Sequence, residues 1–326
     1  SSMSDILVVG IGSHDEIYAQ GSFRDHPFPQ LPNFKIVDWS DQETIEKADV
    51  LMQTNIKECK LKNLETQYEY IRNSGKPFLV TEGAVFRQNM KTDSQAYHRW
   101  SWFHYFQDEG QYCNQDCPSD RWEQISLEQN LKIEPWQNNP DGHILLCLQR
   151  PGDSSLYRLI RSRKIDYKDW VWKTVREIRR YTDRKIVIRI HPLRQEYSLN
   201  MLFPIDSVFK NIEISTDITG ATTENGSNGG DGITNDLKGA YCAIGLNSNV
   251  LTETVMAGIP TFSLCSGSMA WPVSNHFIKD INSPIMEFDR TQWLYNLSYC
   301  QWRQDEIEQG LPWEHLKKKL PELIRK

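Results

Sequence analysis

The sequence predicts an α/β protein with two Rossmann-like domains, and three observations support this fold class. Short apolar runs of strand length alternate with helical segments in both halves of the chain, a pattern typical of parallel sheets covered on both faces. A cluster of turn residues at 138–142 interrupts the alternation near the middle of the chain. The length of 326 residues is sufficient for two domains of ordinary size.

The first half contains four apolar runs that predict strands and two segments that predict helices. The strands cover residues 6–12, 34–38, 49–52 and 78–80, and the helices cover residues 42–48 and 63–72. We assign residues 4–140 to an N-terminal Rossmann-like domain.

Residues 88–140 break this alternation, because they are polar and aromatic without clear periodicity. A segment of this length is typical of a functional loop region, although irregular packing of the aromatic side chains would give the same pattern. Its densest part is residues 99–106, Arg-Trp-Ser-Trp-Phe-His-Tyr-Phe. We expect Trp100, Trp102 and Tyr105 to contact an acceptor, together with Arg87.

The second half resumes the alternation after the turn cluster. Strands are predicted over residues 143–148, 185–190, 241–245 and 260–264, and helices over residues 170–181, 250–257 and 291–309. Residues 141–290 form the predicted nucleotide-sugar domain. Residues 291–326 form a helical segment that is expected to pack back toward the N-terminal domain.

Charge and cysteine content limit the class of protein. The formal net charge of −6 argues against a protein covered by basic surface. Residues 158–194, however, contain 13 Lys or Arg and 4 Asp or Glu, which predicts either a solvated helix face or a surface for a phosphate-bearing or polyanionic ligand. The seven cysteines form no Cys-x-x-Cys pair, and no apolar run could span a bilayer. We therefore expect a cytoplasmic protein with free thiols and no metal.

The clearest motif lies at residues 245–260. A strand ends there, Asn247, Ser248 and Asn249 make a polar turn, and a helix begins that Gly258 ends. The N–H groups of a helix start at the carboxyl end of a parallel strand suit a phosphate, although an ordinary capped helix would look the same. Glu253, one turn into the helix, could accept hydrogen bonds from ribose hydroxyls.

Two further polar segments follow predicted strands of the second half. Arg189 and His191, with Pro192 after it, stand at the end of one strand, where an imidazole could stabilise charge on a departing nucleotide. The loop after residue 148 presents polar groups for a base or phosphate contact, namely Gln149, Arg150, Asp153 and Ser154. A structural role for a single histidine is the alternative interpretation.

A candidate general base is expected in the first half. Glu82 stands at the carboxyl end of the strand at 78–80, where a carboxylate could remove a proton from an acceptor hydroxyl. Asp108, within Asp-Glu-Gly at 108–110, is the competing carboxylate, but it follows no clear strand. Position favours Glu82, and the choice between the two stays open.

Together these motifs resemble the capsule-polysaccharide-synthesis class of bacterial glycosyltransferases, which includes the Kdo transferases, and more distantly the bacterial sialyltransferases. The resemblance is carried by His191-Pro192, by the turn around Ser248 with Glu253, and by the loop that begins at Gln149. It covers residues 143–265 well and the first half thinly, since Thr81-Glu82-Gly83 keeps only the second of the two acids that the class carries before this glycine.

The resemblance implies a GT-B architecture, in which two parallel sheets face a central cleft, and an inverting glycosyl transfer without a metal. It implies that His191 assists the nucleotide phosphate and that Ser248 binds it with neighbouring N–H groups. Kdo and sialyl members of the class use CMP-linked donors, but no residue of this sequence excludes UDP or GDP. The expected partners are thus a nucleotide-sugar donor and an acceptor; the oligomeric state is left open.

Three alternatives remain open. The aromatic stretch at 99–106 is similar to glycosyltransferase-like proteins of bacteriophages, some of which modify hydroxymethylated pyrimidines in DNA, and stacking of an extruded base would suit it. A glycan or small-molecule acceptor is slightly favoured, because the chain is acidic. Gly10-Ile11-Gly12 with Asp38 suggests an NAD-dependent oxidoreductase, but Asp15 stands where the third glycine of that fingerprint belongs. A non-catalytic module that binds a nucleotide-sugar is the third.

Overall fold

The structure, a computed structural model, describes residues 6–12, 23, 26–54, 56, 67–86, 96–159, 165–219 and 232–324. The chain forms two compact units. Unit 1 contains the described residues of Ser1–Val85, Met90–Trp122 and Leu294–Lys326. Unit 2 contains those of Phe86–Asn89 and Glu123–Trp293. Among these residues, no helix has both the length and the apolar character that crossing a bilayer demands.

The helices and strands alternate along most of the described chain. In the first part they are β1 (Val8–Ile11), β2 (Phe34–Val37), α1 (Gln42–Lys47), β3 (Val50–Thr54), α2 (Gln67–Asn73), β4 (Phe78–Gly83), β5 (Tyr97–Trp102) and α3 (Asp120–Gln129). In the middle they are β6 (Ile144–Cys147), α4 (Tyr167–Tyr181), β7 (Ile186–Arg189), α5 (Gln195–Leu202), α6 (Ile205–Val208), β8 (Ile212–Ser215) and α7 (Gly232–Leu237). They end with β9 (Cys242–Gly245), α8 (Val250–Met256), β10 (Thr261–Ser263), α9 (Thr291–Ser298), β11 (Gln301–Arg303), α10 (Gln304–Glu308), α11 (Leu311–Leu316) and α12 (Leu320–Leu323).

Unit 1 is built on a sheet with the strand order β11-β5-β4-β3-β1-β2. Strands β1 to β4 are parallel, as the sequence predicts, whereas β5 is antiparallel to β4 and β11 is antiparallel to β5. Both faces of the sheet are covered by apolar side chains. The local sequence supports these elements; the Asp41 side chain, for example, accepts the Thr44 N–H at 3.1 Å and caps α1.

Two expectations for unit 1 were wrong. Residues 97–102 form the buried strand β5 and not a loop. The sequence did not reveal this strand, because both of its faces are covered and it therefore lacks the alternation of apolar and polar residues. Residues 291–309 do not form one helix, since β11 interrupts the segment and pairs with β5 through Gln301 and Arg99. The C-terminal segment nevertheless belongs to unit 1, as expected.

Unit 2 is built on a fully parallel sheet with the strand order β10-β9-β6-β7-β8. Along the central strand β6, Ile144 and Leu146 face one apolar cluster, and Leu145 and Cys147 face the other. Both faces are therefore covered at β6, which explains why this strand reads as a continuous apolar run.

The segment before β6 also lies in unit 2. Glu134 N–H donates to the Met256 carbonyl at 2.8 Å, and Gln137 N–H donates to the Gly258 carbonyl at 2.8 Å. These bonds tie the segment to the end of α8. The sequence assigned it to the N-terminal domain, whereas its contacts place it with the second sheet.

Candidate functional site

The candidate site lies at the carboxyl edge of the sheet in unit 2. Strands β9, β6 and β7 are neighbours and run in parallel, so the loops that follow them emerge at the same edge. Ligands of open parallel α/β sheets bind at this edge. The three loops are residues 246–249 after β9, 148–156 after β6 and 190–194 after β7, and each carries residues that the sequence predicts for the site.

Gln149 joins the loops after β6 and β9. Its Nε2 donates to Asn247 Oδ1 at 2.6 Å and to Ser155 Oγ at 2.7 Å. Asn247 Nδ2 in turn donates to the Ser155 carbonyl at 3.0 Å. The Gln149 backbone N–H donates to the Tyr167 hydroxyl, which anchors the loop on α4. Because Gln149 and Asn247 are buried, these bonds stabilise the shape of the loops.

The rest of the loop after β6 presents a polar, partly exposed surface. The Asp153 side chain accepts the Ser155 N–H at 3.1 Å and begins a short 3₁₀ turn that contains Ser154. Arg150 NH2 lies 3.9 Å from Asp153 Oδ2, and about a third of each side chain is exposed. The Arg150 guanidinium is therefore accessible to an anionic ligand.

His191 lies in the loop after β7, and its hydrogen bonding indicates its tautomer. Its Nδ1 accepts the Leu193 N–H at 3.0 Å, so the proton of the neutral ring is on Nε2. Burial lowers the pKa of His191 to about 4; Asp153 acts against this shift, and Arg150 and Arg189 add to it. The imidazole is thus neutral near pH 7 in the unliganded protein and has one N–H to donate.

Ser248 and Asn249 precede α8 as predicted, and both are half-buried. Ser248 Oγ accepts the Val250 N–H at 3.2 Å, and Asn249 occupies the N-cap position without a side-chain capping bond. Glu253 lies in the first turn of the helix. Gly258 ends the helix with φ +76°, and an added Cβ there would overlap the Pro135 carbonyl oxygen, which explains the glycine.

Arg189 has a different role from the predicted one. Its guanidinium is buried and forms an ion pair with Asp236, NH1 to Oδ2 at 2.9 Å, and it donates to the Asp217 carbonyl at 2.6 Å. The Ser215 hydroxyl lies 2.8 Å from Asp236 Oδ2 and donates to the same carboxylate. Arg189 therefore holds β7, β8 and α7 together, and its charge is balanced inside the unit.

The structure adds one cation that sequence reasoning did not single out. Arg158 NH1 lies 3.7 Å from Cys265 Sγ, in the segment after β10. Cys265 Sγ is also 4.0 Å from Asn247 Nδ2, so this guanidinium lies beside the loop after β9. In the sequence Arg158 was one of thirteen basic residues, and only its position after the turn at 153–156 distinguished it.

In unit 1 the two candidate carboxylates occupy different settings. Glu82 is half-buried on β4, at the carboxyl end of the parallel strands, and its Oε1 accepts the Gly83 N–H at 2.8 Å. Arg99, on the adjacent strand β5, is paired with Glu82 in the sheet register. Its Nε donates to the Gly83 carbonyl at 2.7 Å. Asp108 lies in an exposed turn, one residue before Glu109. Of these two carboxylates, only Glu82 lies at the carboxyl edge of the sheet.

The predicted acceptor surface is not formed by the tryptophans. Trp100 and Trp102 are fully buried, and Trp102 Nε1 donates to the Leu316 carbonyl at 2.9 Å. Tyr105 is also buried, with the Arg99 guanidinium 5.4 Å from its ring centroid. These rings form the core of unit 1 and offer no face to a base or a sugar. Arg87 lies outside the described residues.

Packing also explains the glycine at the end of β1. A Cβ added to Gly10 would come within 2.8 Å of the rings of Phe23 and Phe28. The glycine thus makes room for two aromatic side chains. Asp38 accepts two hydrogen bonds from Ser40, from its N–H at 2.9 Å and its hydroxyl at 2.8 Å. These contacts give structural roles to Gly10 and Asp38, two of the residues that suggested a nicotinamide cofactor.

Comparison with solved structures identifies the fold. No protein-family model matches the chain, and no curated protein matches its sequence. The KpsC β Kdo 2,4 transferase of Thermosulfurimonas dismutans is similar with a TM-score of 0.55 and 11% identity, over 91% of this chain and 92% of that one. The KpsC β Kdo 2,7 transferase of the same organism is similar with a TM-score of 0.50 and 13% identity, over 96% and 99%. The chain therefore has the GT-B type of fold, as the resemblance predicted.

Proposed function

We propose that this protein is a glycosyltransferase that moves a sugar from a nucleotide-sugar donor to an acceptor hydroxyl. The observation that carries the proposal is the hydrogen-bonded cluster of Gln149, Ser155 and Asn247, with His191 in the loop after the neighbouring strand β7, at the sheet edge where this fold class binds nucleotides. The fold shared with two Kdo transferases supports the same conclusion. Unit 2 is the proposed donor site.

The donor phosphate is proposed to contact His191 Nε2–H, Arg150, Arg158 and the Ser248 hydroxyl, whose oxygen already accepts the Val250 N–H. Because the protein supplies these donors, we propose that the transfer needs no metal ion. An anionic phosphate next to His191 would favour its protonated form, so the ring could gain a positive charge as the nucleotide leaves. Asp153, which already raises the pKa of this ring, would stabilise the same charge.

Glu82 in unit 1 is the proposed general base. Its carboxylate removes the proton of the acceptor hydroxyl, and the acceptor oxygen forms a bond to the anomeric carbon as the bond from that carbon to the phosphate oxygen breaks. The nucleotide leaves with the bonding electron pair, and the anomeric centre is inverted. The donors of unit 2 then stabilise the charge that develops on the phosphate.

A glycan or another small molecule is the proposed acceptor. The DNA alternative depended on an exposed aromatic platform, and the burial of Trp100 and Trp102 removes that support. The oxidoreductase alternative depended on Gly10, which packing explains. The two structurally similar proteins are Kdo transferases, so Kdo is the first sugar to test.

The donor site is tested by thermal unfolding with CMP, UDP, GDP and NAD. A nucleotide at a hundred times its dissociation constant adds about 2.7 kcal/mol of stability, which raises the unfolding temperature measurably. We expect one of the three nucleotides that form sugar donors to stabilise the protein and NAD to have no effect. Stabilisation by NAD alone would contradict the proposal.

The base is tested by Glu82→Gln, with nucleotide release from a donor sugar as the readout. We expect the variant to keep its nucleotide-induced stabilisation and to lose about 10²- to 10⁴-fold in turnover, because general base catalysis contributes rate increases of this size. Asp108→Asn is the matched control and should retain turnover. The reverse result would assign the base to Asp108, and EDTA should not change either rate.

A further inference from the structure

Unit 2 carries an exposed apolar surface that the proposed reaction does not use. It surrounds a pocket of about 360 Å³ between α4 and the residues that follow α5. We call it the Phe203 surface, and its residues are Lys168, Asp169, Trp172, Lys173, Arg176, Phe203 and Pro204. Phe203 is 77% exposed, and Tyr197 and Val208, on the helices before and after it, are 62% and 57% exposed. Exposed apolar surface around a pocket is typical of an interaction site.

The core of unit 2 does not need Phe203. The helix α5 directs Met201 and Leu202 inward, and both are buried. Trp172 Nε1 donates to the Met201 carbonyl at 3.0 Å and joins α5 to α4. Phe203 N–H donates to the Leu199 carbonyl and ends the helix, so the phenyl ring is held on the surface by a bonded backbone.

Among the residues that line the pocket, basic side chains outnumber acidic ones. Lys168, Lys173 and Arg176 lie on the exposed face of α4, whereas Asp169 is the one acid among the residues of the pocket. The opposite face of α4 buries Trp170, Val171 and Val175. Basic side chains beside exposed apolar ones are the combination that binds the interface of an anionic membrane.

We propose that the Phe203 surface docks unit 2 on an anionic lipid bilayer. Phe203 inserts among the acyl chains below the headgroups, and Lys168, Lys173 and Arg176 contact lipid phosphates. A soluble polyanion would use the three cations but would leave the phenyl ring in water, so the exposed apolar area favours a bilayer. This inference does not depend on the glycosyltransferase activity.

The test is co-sedimentation of the full chain with vesicles of phosphatidylcholine, with and without phosphatidylglycerol. We expect binding to the vesicles that contain phosphatidylglycerol, and we expect it to weaken as salt is added. Phe203→Ser should reduce the partition coefficient roughly tenfold or more, because it removes the phenyl ring that is proposed to insert into the bilayer. Lys173→Ala should reduce it about fivefold, since each basic residue near such a surface contributes about that factor.

Leu127→Ser and Lys238→Ala are the matched controls, because Leu127 is 83% exposed on α3 and Lys238 is exposed after α7. Both should bind as the parent chain does, and all four variants should unfold at the same temperature. Equal losses in the controls would overturn the proposal. So would vesicle binding that survives Phe203→Ser, or binding to heparin with none to vesicles.

Discussion

At the scale of single residues, Gln149 is the side chain on which the shape of the candidate site depends most. Its amide donates two bonds, to Asn247 and to Ser155, from a position that is 5% exposed. The position of one polar group therefore sets the separation of two loops. Sequence reasoning selected Gln149 for its place after a strand, but it could not show that its amide bonds the Asn247 side chain in the loop after β9.

Gln149→Leu should destabilise the protein by about 1–3 kcal/mol, because it leaves the buried Asn247 Oδ1 and the half-buried Ser155 Oγ without this donor. It should also abolish stabilisation by nucleotide, since the loops lose their common bond. Thermal unfolding with and without nucleotide measures both effects. Gln137→Leu, at an exposed amide, should change the stability by less than about 0.5 kcal/mol. Unchanged stabilisation by nucleotide in Gln149→Leu would refute this account.

At the scale of elements, the C-terminal segment completes the core of unit 1. Strand β11 pairs with the edge of β5, and α11 packs against one face of the sheet. Trp313 on α11 is 2% exposed, and its ring lies 5.6 Å from that of Phe34 and 6.2 Å from that of Trp102. The first strands of the chain thus depend on residues from its end.

Trp313→Ala should lower the free energy of unfolding of unit 1 by about 3–5 kcal/mol, because it removes a large buried ring from a packed core. Denaturant unfolding followed by circular dichroism gives this quantity. Leu311→Ala, at a residue of the same helix that is 36% exposed, should cost much less. Equal stabilities for the two variants would mean that α11 does not stabilise unit 1.

At the scale of the whole molecule, each unit contains a half-buried histidine that resists protonation. Burial lowers the pKa of His98 in unit 1 to about 4, with a further contribution from His26, and it lowers that of His191 in unit 2 to the same value. Below about pH 6.5 the unfolded chain binds protons that the folded chain does not bind. The free energy of unfolding must therefore fall as the pH decreases from about 6.5 to 4.

Each histidine can contribute up to about 3 kcal/mol to this loss, at about 1.4 kcal/mol for each unit of pKa. Unfolding temperatures between pH 7.5 and pH 4.5 should decline, and His98→Gln with His191→Gln should flatten the curve. Hydrogen bonds from Thr219 lower the pKa of Asp217 to about 2. Carboxylates of this kind are protonated only at more acidic pH. An identical slope in the double variant would show that other groups govern this range.

The sequence by itself determined the two α/β units and the three loops of the candidate site. Strand length, turn residues and the glycine that ends α8 are local properties of the sequence. The conformations that they favour locally agree with those found in the fold. The position of His191 and Asn247 after their strands was sufficient to predict one common edge, because parallel neighbours place their carboxyl ends together.

Only the tertiary structure decided which of the predicted side chains are available to a ligand. Trp100 and Trp102 are buried because Trp302 and Trp313, about two hundred positions further along the chain, pack against them. The Arg189 guanidinium is buried in an ion pair with Asp236. Such pairings depend on contacts between distant residues, and neither composition nor periodicity encodes them.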